Sequence, residues 1–391
     1  MRNKYILLSL LFVSFFVSSC IQEEAPNSEC DIVSVDTTHT WFRENRNILT
    51  NEFKVNNNQI VFKVKKDTEF STIDITHESI INSFSLTPGA RIEIYNGNES
   101  DKKGVKKDNN GIHLWYTVYA EDGIWSKDYD VMFIKMPVLD IDHIFSFENF
   151  ETEKFSSWYE INKDGIRSDI WSSGNSGFKM AAGNRPASEY PTSTYDQGFS
   201  GDCVKLMTCD TGTFGSMAKM PIAAGNIFIG EFDYKNAMAA KEKATHFGLQ
   251  IIPDRCKPVA LKGYYKYTAG NDYKDKNKQP IEGRRDECSI YAVVFEIDPN
   301  NFIPLDGSNI TSSDRIVLMA DLKDAGEPTD WKEFNIPFEP QNGKEFDYDK
   351  LANNEYVITI VASSSKNGAF FEGAVGSTLY IDEFRIEWER E

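Results

Sequence analysis

Leu379-Tyr380-Ile381-Asp382-Glu383-Phe384-Arg385-Ile386-Glu387-Trp388 is the last of a series of short strand signals that fills the second part of the chain. The others run over 144–150, 203–209, 227–234, 247–252, 263–267, 290–297, 315–321, 333–338 and 356–363, with Gly and Asn or Asp between them. No long amphipathic helix interrupts the series. Only 236–245 (NAMAAKEKAT) has helix-forming composition, enough for one or two turns. So many strands within 142–391 predict a two-sheet sandwich of jelly-roll type.

Working outward, residues 31–137 read as a second all-β unit. Ile60, Phe62 and Val64 alternate with polar residues, as do Ala90, Ile92 and Ile94 ahead of an Asn96-Gly97 turn, and Tyr129, Val131 and Phe133 form a third such run. Glu121-Asp122-Gly123, between aromatic residues 115–119 and Trp125, reads as a hairpin turn. This spacing predicts an immunoglobulin-like β-sandwich acting as a spacer, with the junction at 136–140.

The first residues give a location. Arg2 and Lys4 precede an apolar run over 5–17, and Val17-Ser18-Ser19-Cys20 closes it with small residues before a cysteine. This pattern predicts a lipoprotein signal peptide over 1–19, lipidation of Cys20 and a tether over 20–30. The apolar run is shorter than the roughly 18 residues of a membrane-spanning helix. Glu23 and Glu24 behind the cysteine resemble the signal that sends Bacteroides-group lipoproteins to the outer face of the outer membrane, so the expected location is an outer membrane lipoprotein facing the cell exterior.

With 42 Lys+Arg against 60 Asp+Glu, a formal net charge of -18 and a pI near 4.8, the chain repels phosphate backbones, and nucleic acid is excluded as a partner. The expected membrane contact is through the lipid anchor only. Cys30, Cys203, Cys209, Cys256 and Cys288 remain after lipidation; Cys203 and Cys209 cannot bond to each other along one unbroken strand, and Cys256 and Cys288, which bracket a polar loop, are the better pair. His39, His77, His113, His143 and His246 are scattered without zinc-site spacing.

A set of strings then carries a family resemblance. Ser172-Ser173-Gly174-Asn175-Ser176-Gly177, Tyr190-Pro191, Ile222-Ala223-Ala224-Gly225-Asn226-Ile227-Phe228-Ile229-Gly230-Glu231-Phe232, Ala260-Leu261-Lys262-Gly263-Tyr264-Tyr265-Lys266-Tyr267 and Gly373-Ala374-Val375-Gly376-Ser377-Thr378-Leu379-Tyr380-Ile381-Asp382-Glu383 together resemble the putative carbohydrate metabolism domain of Bacteroides-type lipoproteins. The resemblance implies a jelly roll similar to carbohydrate-binding modules, a glycan as partner and an association with an outer-membrane glycan-uptake complex. It implies no reaction.

Sugar binding calls for flat aromatic faces and planar polar groups. Tyr265 and Tyr267 share one strand face and Tyr264 takes the other, so a tyrosine platform on one face is expected, although tyrosines also suit a strand core. Asp254, Arg255, Lys262 and Lys266 lie nearby in sequence, and Trp171, Asn184, Arg185, Glu189 and Tyr190 form a second polar-aromatic set. The long polar loop 268–287 carries Arg284 and Arg285 and is read either as a closing flap or as a surface insertion.

Catalysis would need two carboxylates at a fixed separation. Glu231 and Asp233 form half of the acid motif of jelly-roll glycosidases, but Lys235 and Asn236 stand where the second Glu belongs; Glu296 and Asp298 are a further same-face pair. No cofactor is required, while Glu148 and Asp382, near the two ends of the jelly roll, are placed to hold a structural calcium. The expectation is a glycan-binding protein that does not cleave, with a glycoside hydrolase or a structural or adhesive partner as alternatives.

Overall fold

The computed structural model describes residues 26–391 apart from 56–57, 65–67, 108–110, 136–138, 164, 166, 234–240 and 300–301. Residues 1–19 and Cys20 lie outside the described part, as do Lys235 and Asn236. Among the described residues no helix is long and apolar enough to cross a membrane.

The fold is all-β, as the sequence predicts. The first unit is built on a sheet with the strand order Leu49–Val55, Gln59–Val64, Ser126–Lys135, Gly111–Tyr119, Arg91–Ile94. Gln59–Val64 and Ser126–Lys135 run parallel, and the other pairings in this sheet are antiparallel. Alternation sends Ile60, Phe62 and Val64 into one core with Leu114, Tyr116, Val131 and Phe133. The layer across that core is light: a ribbon of Ile32–Val35 with Phe84–Leu86, and short helical turns that contribute Trp41, Phe42 and Ile80.

The second unit is a sandwich of two antiparallel sheets. One has the order Thr192–Tyr195, Cys203–Met207, Thr378–Arg390, Cys256–Thr268, Lys332–Pro337, with Ile144–Phe145 paired to Thr378–Arg390. The other has the order Trp171–Ser172, Asn226–Phe232, Tyr356–Ser363, Ser289–Glu296, Ile316–Asp321, Glu339–Pro340, with Thr245–Phe247 paired to Asn226–Phe232. The larger core lies between them and includes Phe145, Leu206, Tyr265, Ala292, Val294, Ile358 and Phe384.

Ser289–Glu296 has apolar residues on both faces because it serves two cores. Ala292 and Val294 face the partner sheet, whereas Val293 and Phe295 join Phe228, Phe247, Leu305 and Val357 in a second cluster on the outer face of their own sheet. A strand covered on both sides reads as a continuous apolar run. The same holds for Tyr356–Ser363, buried along nearly its whole length.

Two expectations are corrected here, the pairing of Cys256 with Cys288 and the loop 268–287 as a closing flap. Cys256 and Cys288 are both free. Cys256 opens the Cys256–Thr268 strand, eleven residues before Tyr267, whereas Cys288 directly precedes Ser289, which pairs with Ser363 beside Ser364, the acceptor of the Tyr267 hydroxyl; at about 3.3 Å per residue the two thiols lie at opposite ends of the sandwich. Burial pushes the Cys288 and Cys203 thiols up to about 12 and Cys209 to about 11, which leaves them unreactive. The segment 236–245 is described only from residue 241, where Lys241–Lys243 forms a single 3₁₀ turn. Finally, the loop 268–287 is tied down: Tyr273–Lys274 pairs with Gly373–Ala374, Arg285 is bonded to Glu327, and the Arg284 guanidinium lies 4.3 Å from the Tyr273 ring centre.

Candidate functional site

The outer face of the second sheet is only partly covered by its apolar cluster. Beside that cluster a cleft of about 720 Å³ runs across the strands. Its floor takes Phe228 from Asn226–Phe232, Val361 from Tyr356–Ser363, Tyr291 from Ser289–Glu296, Met319 and Asp321 from Ile316–Asp321, and Glu339 from the edge strand. These are outward-facing positions of five successive strands, each offering alternate side chains to the cleft.

The walls are loops and short helices, each fixed by buried polar side chains. The helix Asn175–Ala182 supplies Phe178 and Met180. Fully buried Asn175 anchors it: its Nδ2 donates to the Thr192 carbonyl at 2.7 Å, and its Oδ1 accepts from Thr192 N at 3.1 Å. Asn226 Oδ1 accepts from Gly174 N at 2.9 Å, and its Nδ2 donates to the Ala224 carbonyl at 3.1 Å, joining this helix to the start of the Asn226–Phe232 strand. A Cβ on Gly177 would lie 3.2 Å from the Phe232 ring, so the close approach of helix to strand favours glycine there.

The second wall, 365–371, is held from beneath. Asp286 Oδ2 accepts from Ser365 Oγ at 2.6 Å, Ala374 N at 2.7 Å and Ser377 Oγ at 2.7 Å, and Thr208 Oγ1 lies 2.8 Å from Ser364 Oγ and 2.6 Å from Ser365 Oγ. A buried carboxylate with three donors on one oxygen is a strong, directional tie. The Lys241 ammonium, 5.4 Å from the Phe371 ring centre and bonded to the Ala218 carbonyl, closes this end. The site is thus a preformed groove with an aromatic and thioether floor and with amide, hydroxyl and charged groups along its rim.

A family model described as "putative carbohydrate metabolism domain" matches residues 146–387, the span that contains both sheets and the cleft. The chain belongs to this family. Two solved structures are similar to it. One, described as a putative glycoside hydrolase from Bacteroides thetaiotaomicron, is 36% identical over 95% of this chain and 100% of that chain, with a TM-score of 0.74. The other, a putative glycoside hydrolase from Bacteroides vulgatus, is 36% identical over 65% of this chain and 100% of that chain, with a TM-score of 0.59. No curated protein matches.

Within this family member the expected tyrosine platform is reversed. Tyr265 and Tyr267 are 0% and 1% exposed and belong to the main core. Tyr265 Oη donates to the Ala325 carbonyl at 2.6 Å and Tyr267 Oη to the Ser364 carbonyl at 3.2 Å. The strand pairs Tyr265 with Ile381 and Tyr267 with Leu379, so that face must carry the inward side chains. Tyr264, on the opposite face of the same strand, points outward and stacks on Phe199 at 3.6 Å between ring centres, while Lys266 lies 4.6 Å from the Trp331 ring centre and 5.0 Å from that of Tyr380.

The second expected set also divides. Trp171 is buried against Phe145 and Phe147, with Nε1 donating to Glu160 Oε1 at 2.6 Å. Tyr190 is 1% exposed between Phe155 and Phe178, behind the helical wall and outside the cleft lining. Asn184, Arg185 and Glu189 are exposed, and Arg185 and Glu189 approach to 3.9 Å. Asp254 and Arg255 are exposed ahead of the Cys256–Thr268 strand, where Arg255 Nε donates to Glu391 at 3.1 Å. None of these residues lines the cleft.

The acid candidates fare similarly. Glu231 lines a separate recess of about 290 Å³ with Trp158, Asp169 and Trp171, and Asp233 lines neither cavity, so the structure does not bring the two into one cleft. Glu296 is held by Lys350 at 2.6 Å and by Lys344; burial opposes its ionisation, yet the two lysines keep its pKa below the usual value, which makes it a structural ion pair.

Glu148 and Asp382 do converge, on the turn 198–202. Asp202 N donates to Glu148 Oε1 at 3.0 Å, Ser200 N to Asp382 Oδ2 at 3.0 Å, and Glu383 N to Asp382 Oδ1 at 2.8 Å. Burial, with a contribution from neighbouring Glu383, raises Asp382 to about 6, and burial with Glu148 raises Glu383. Among the described residues no three His, Cys, Asp or Glu side chains gather to hold a metal ion, so side chains would supply only part of a calcium shell and the turn's carbonyls the rest.

Phe178, Phe228, Tyr291, Met319 and Asp321 are the site residues that sequence reasoning missed. Their signal was present in 290–297, where a sandwich strand with one wet face should alternate and this one does not.

Proposed function

We propose that this protein binds an oligosaccharide in the cleft across the second sheet without cleaving it, and does so as a lipoprotein on the outer face of the outer membrane. The observation that carries this reading is the preformed cleft floored by five successive strands. At about 4.8 Å per strand, four spacings span roughly 19 Å, a length that suits a chain of sugars better than a single ring. Tyr291 and Met319 offer surfaces for the C–H faces of the rings above buried Phe228, and Asp321 on the floor and Lys323 at the rim suit hydroxyls. Family membership supplies the carbohydrate context. The test is a glycan array on the soluble chain from residue 21 onward, followed by titration of the best ligand with product analysis in the same sample; ligand binding without product supports the reading.

One observation favours hydrolysis as a second reading. Met319 lies opposite Glu339 in the strand register, which makes Asp321 and Glu339 diagonal neighbours on the cleft face. Such neighbours are about 7–8 Å apart, within the separation that inverting glycosidases use. Against it, Glu339 already approaches Lys323 at 3.9 Å. Appearance of product that Asp321→Asn abolishes would decide for hydrolysis. The calcium site at Glu148 and Asp382 belongs to the same proposal as a staple for the first and last strands, with no part in chemistry.

A further inference from the structure

The hairpin turn of the first unit ends in two large apolar side chains that face solvent. Ile124 is 79% and Trp125 61% exposed. This tip is stiff: Asp122 Oδ1 accepts from Ile124 N at 2.8 Å and from Trp125 N at 3.3 Å, while Gly123 N and Ala120 N donate to the Ala120 and Trp125 carbonyls at 3.1 and 2.9 Å. A tip held this firmly presents its apolar pair at little cost in ordering.

The same turn holds the start of the described chain. Asn27 N donates to Glu121 Oε2 at 2.9 Å, Asp122 N donates to the Asn27 carbonyl at 3.2 Å, and Asn27 Nδ2 donates to the Pro88 carbonyl at 3.3 Å. Cys20 stands seven residues before Asn27, and seven residues of extended chain reach at most about 25 Å. A lipid on Cys20 therefore keeps the Ile124–Trp125 tip within that distance of the bilayer.

We infer that Ile124 and Trp125 form a membrane-interface contact that orients the first unit on the outer membrane while the lipid supplies attachment. Tryptophan's amphipathic ring suits the boundary between headgroups and acyl chains, and a neighbouring aliphatic side chain adds apolar area. The inference rests on the lipidation of Cys20 in the proposed function.

The test uses full-length protein from the membrane fraction, reconstituted in phosphatidylethanolamine–phosphatidylglycerol vesicles whose acyl chains are brominated near the headgroup. The chain has seven tryptophans, so bromine should quench a fraction near one-seventh of the emission, and Trp125→Phe should remove that quenching with melting unchanged. Equal quenching in both proteins, or none in either, would overturn the hairpin contact. Labelled fatty acid on Cys20, absent from Cys20→Ala, is measured in parallel: label without quenching overturns the hairpin contact alone, whereas no label overturns the anchor and with it this inference.

Discussion

Tyr267 reaches through the core of the sandwich to donate its hydroxyl hydrogen to the Ser364 carbonyl at 3.2 Å. Tyr267 lies on the first sheet of the sandwich, and Ser364 directly follows the Tyr356–Ser363 strand of the second, where the wall of the cleft begins. A residue expected to stack on sugar thus supports the site from behind.

Tyr265→Ala and Tyr267→Ala should each cost about 3–5 kcal/mol of stability, as for other large aromatic truncations in a core. Tyr267→Phe should cost only about 1 kcal/mol. Because it frees the Ser364 carbonyl under the wall, it should weaken ligand binding more than Tyr265→Phe does. Chemical denaturation and titration on the same variants check both statements.

Asp286→Asn should destabilise by about 1.5–3 kcal/mol, because three donors converge on one buried oxygen that the amide matches poorly. In a unit of this size that is a fall of roughly 3–12 °C in melting temperature. Hydrogen exchange should rise first at 364–377, the segment that Asp286 ties down.

The carboxyl of Asp382 gives a pH dependence of defined sign. Its folded pKa, near 6, lies above the ordinary value near 4, so the folded state keeps a proton that the unfolded chain releases between those values. This contribution stabilises below about 4 and is lost as the pH rises through 6. Melting of the second unit at pH 5 should therefore exceed that at pH 7, and Glu383→Gln should shrink the difference; His77 of the first unit, whose pKa burial holds low, acts in the opposite direction there. Asp140 and Glu327, both held low by hydrogen bonds, act in the opposite direction only below about 4. If calcium staples this corner, millimolar calcium at pH 7 should raise the melting temperature through a stabilisation of about 2.7 kcal/mol at a hundredfold excess over Kd, and less at pH 5. Identical melting in chelator and in calcium would remove the staple.

Much of the fold was legible from local pattern. Ile60, Phe62 and Val64 alternate as a half-buried strand should, and the Glu121-Asp122-Gly123 turn stands where its residues place it. The facing of Tyr264, Tyr265 and Tyr267 was not legible, because period two divides a strand into two faces without saying which is inside. That choice is made by long-range partners: Tyr265 opposite Ile381 and Tyr267 opposite Leu379. Irregularities at Pro258–Ala260 and Lys262–Tyr264 add to the difficulty, since each offsets this strand by one residue against Thr378–Arg390. The cleft was hidden for a related reason. Phe228, Tyr291 and Met319 are far apart in sequence and meet only through the sheet order, whereas Glu231 and Asp233, close in sequence, do not share a cavity. Trp171 and Tyr190 read as ligand residues by type, and only burial shows them to be packing.

The measurement that tests the central claim most directly is ligand affinity and melting for Tyr291→Ala, Asp321→Asn and Tyr264→Ala, with the best oligosaccharide from the array. Binding in the cleft predicts that Tyr291→Ala weakens affinity by about 1–3 kcal/mol, a loss of roughly five- to 150-fold, and that Asp321→Asn weakens it with melting little changed. Tyr264→Ala, on the outer face of the other sheet, should bind like the parent. Parental affinity in Tyr291→Ala and Asp321→Asn, with loss in Tyr264→Ala, would contradict the account and move the glycan to the surface that carries Phe199, Tyr264 and Trp331.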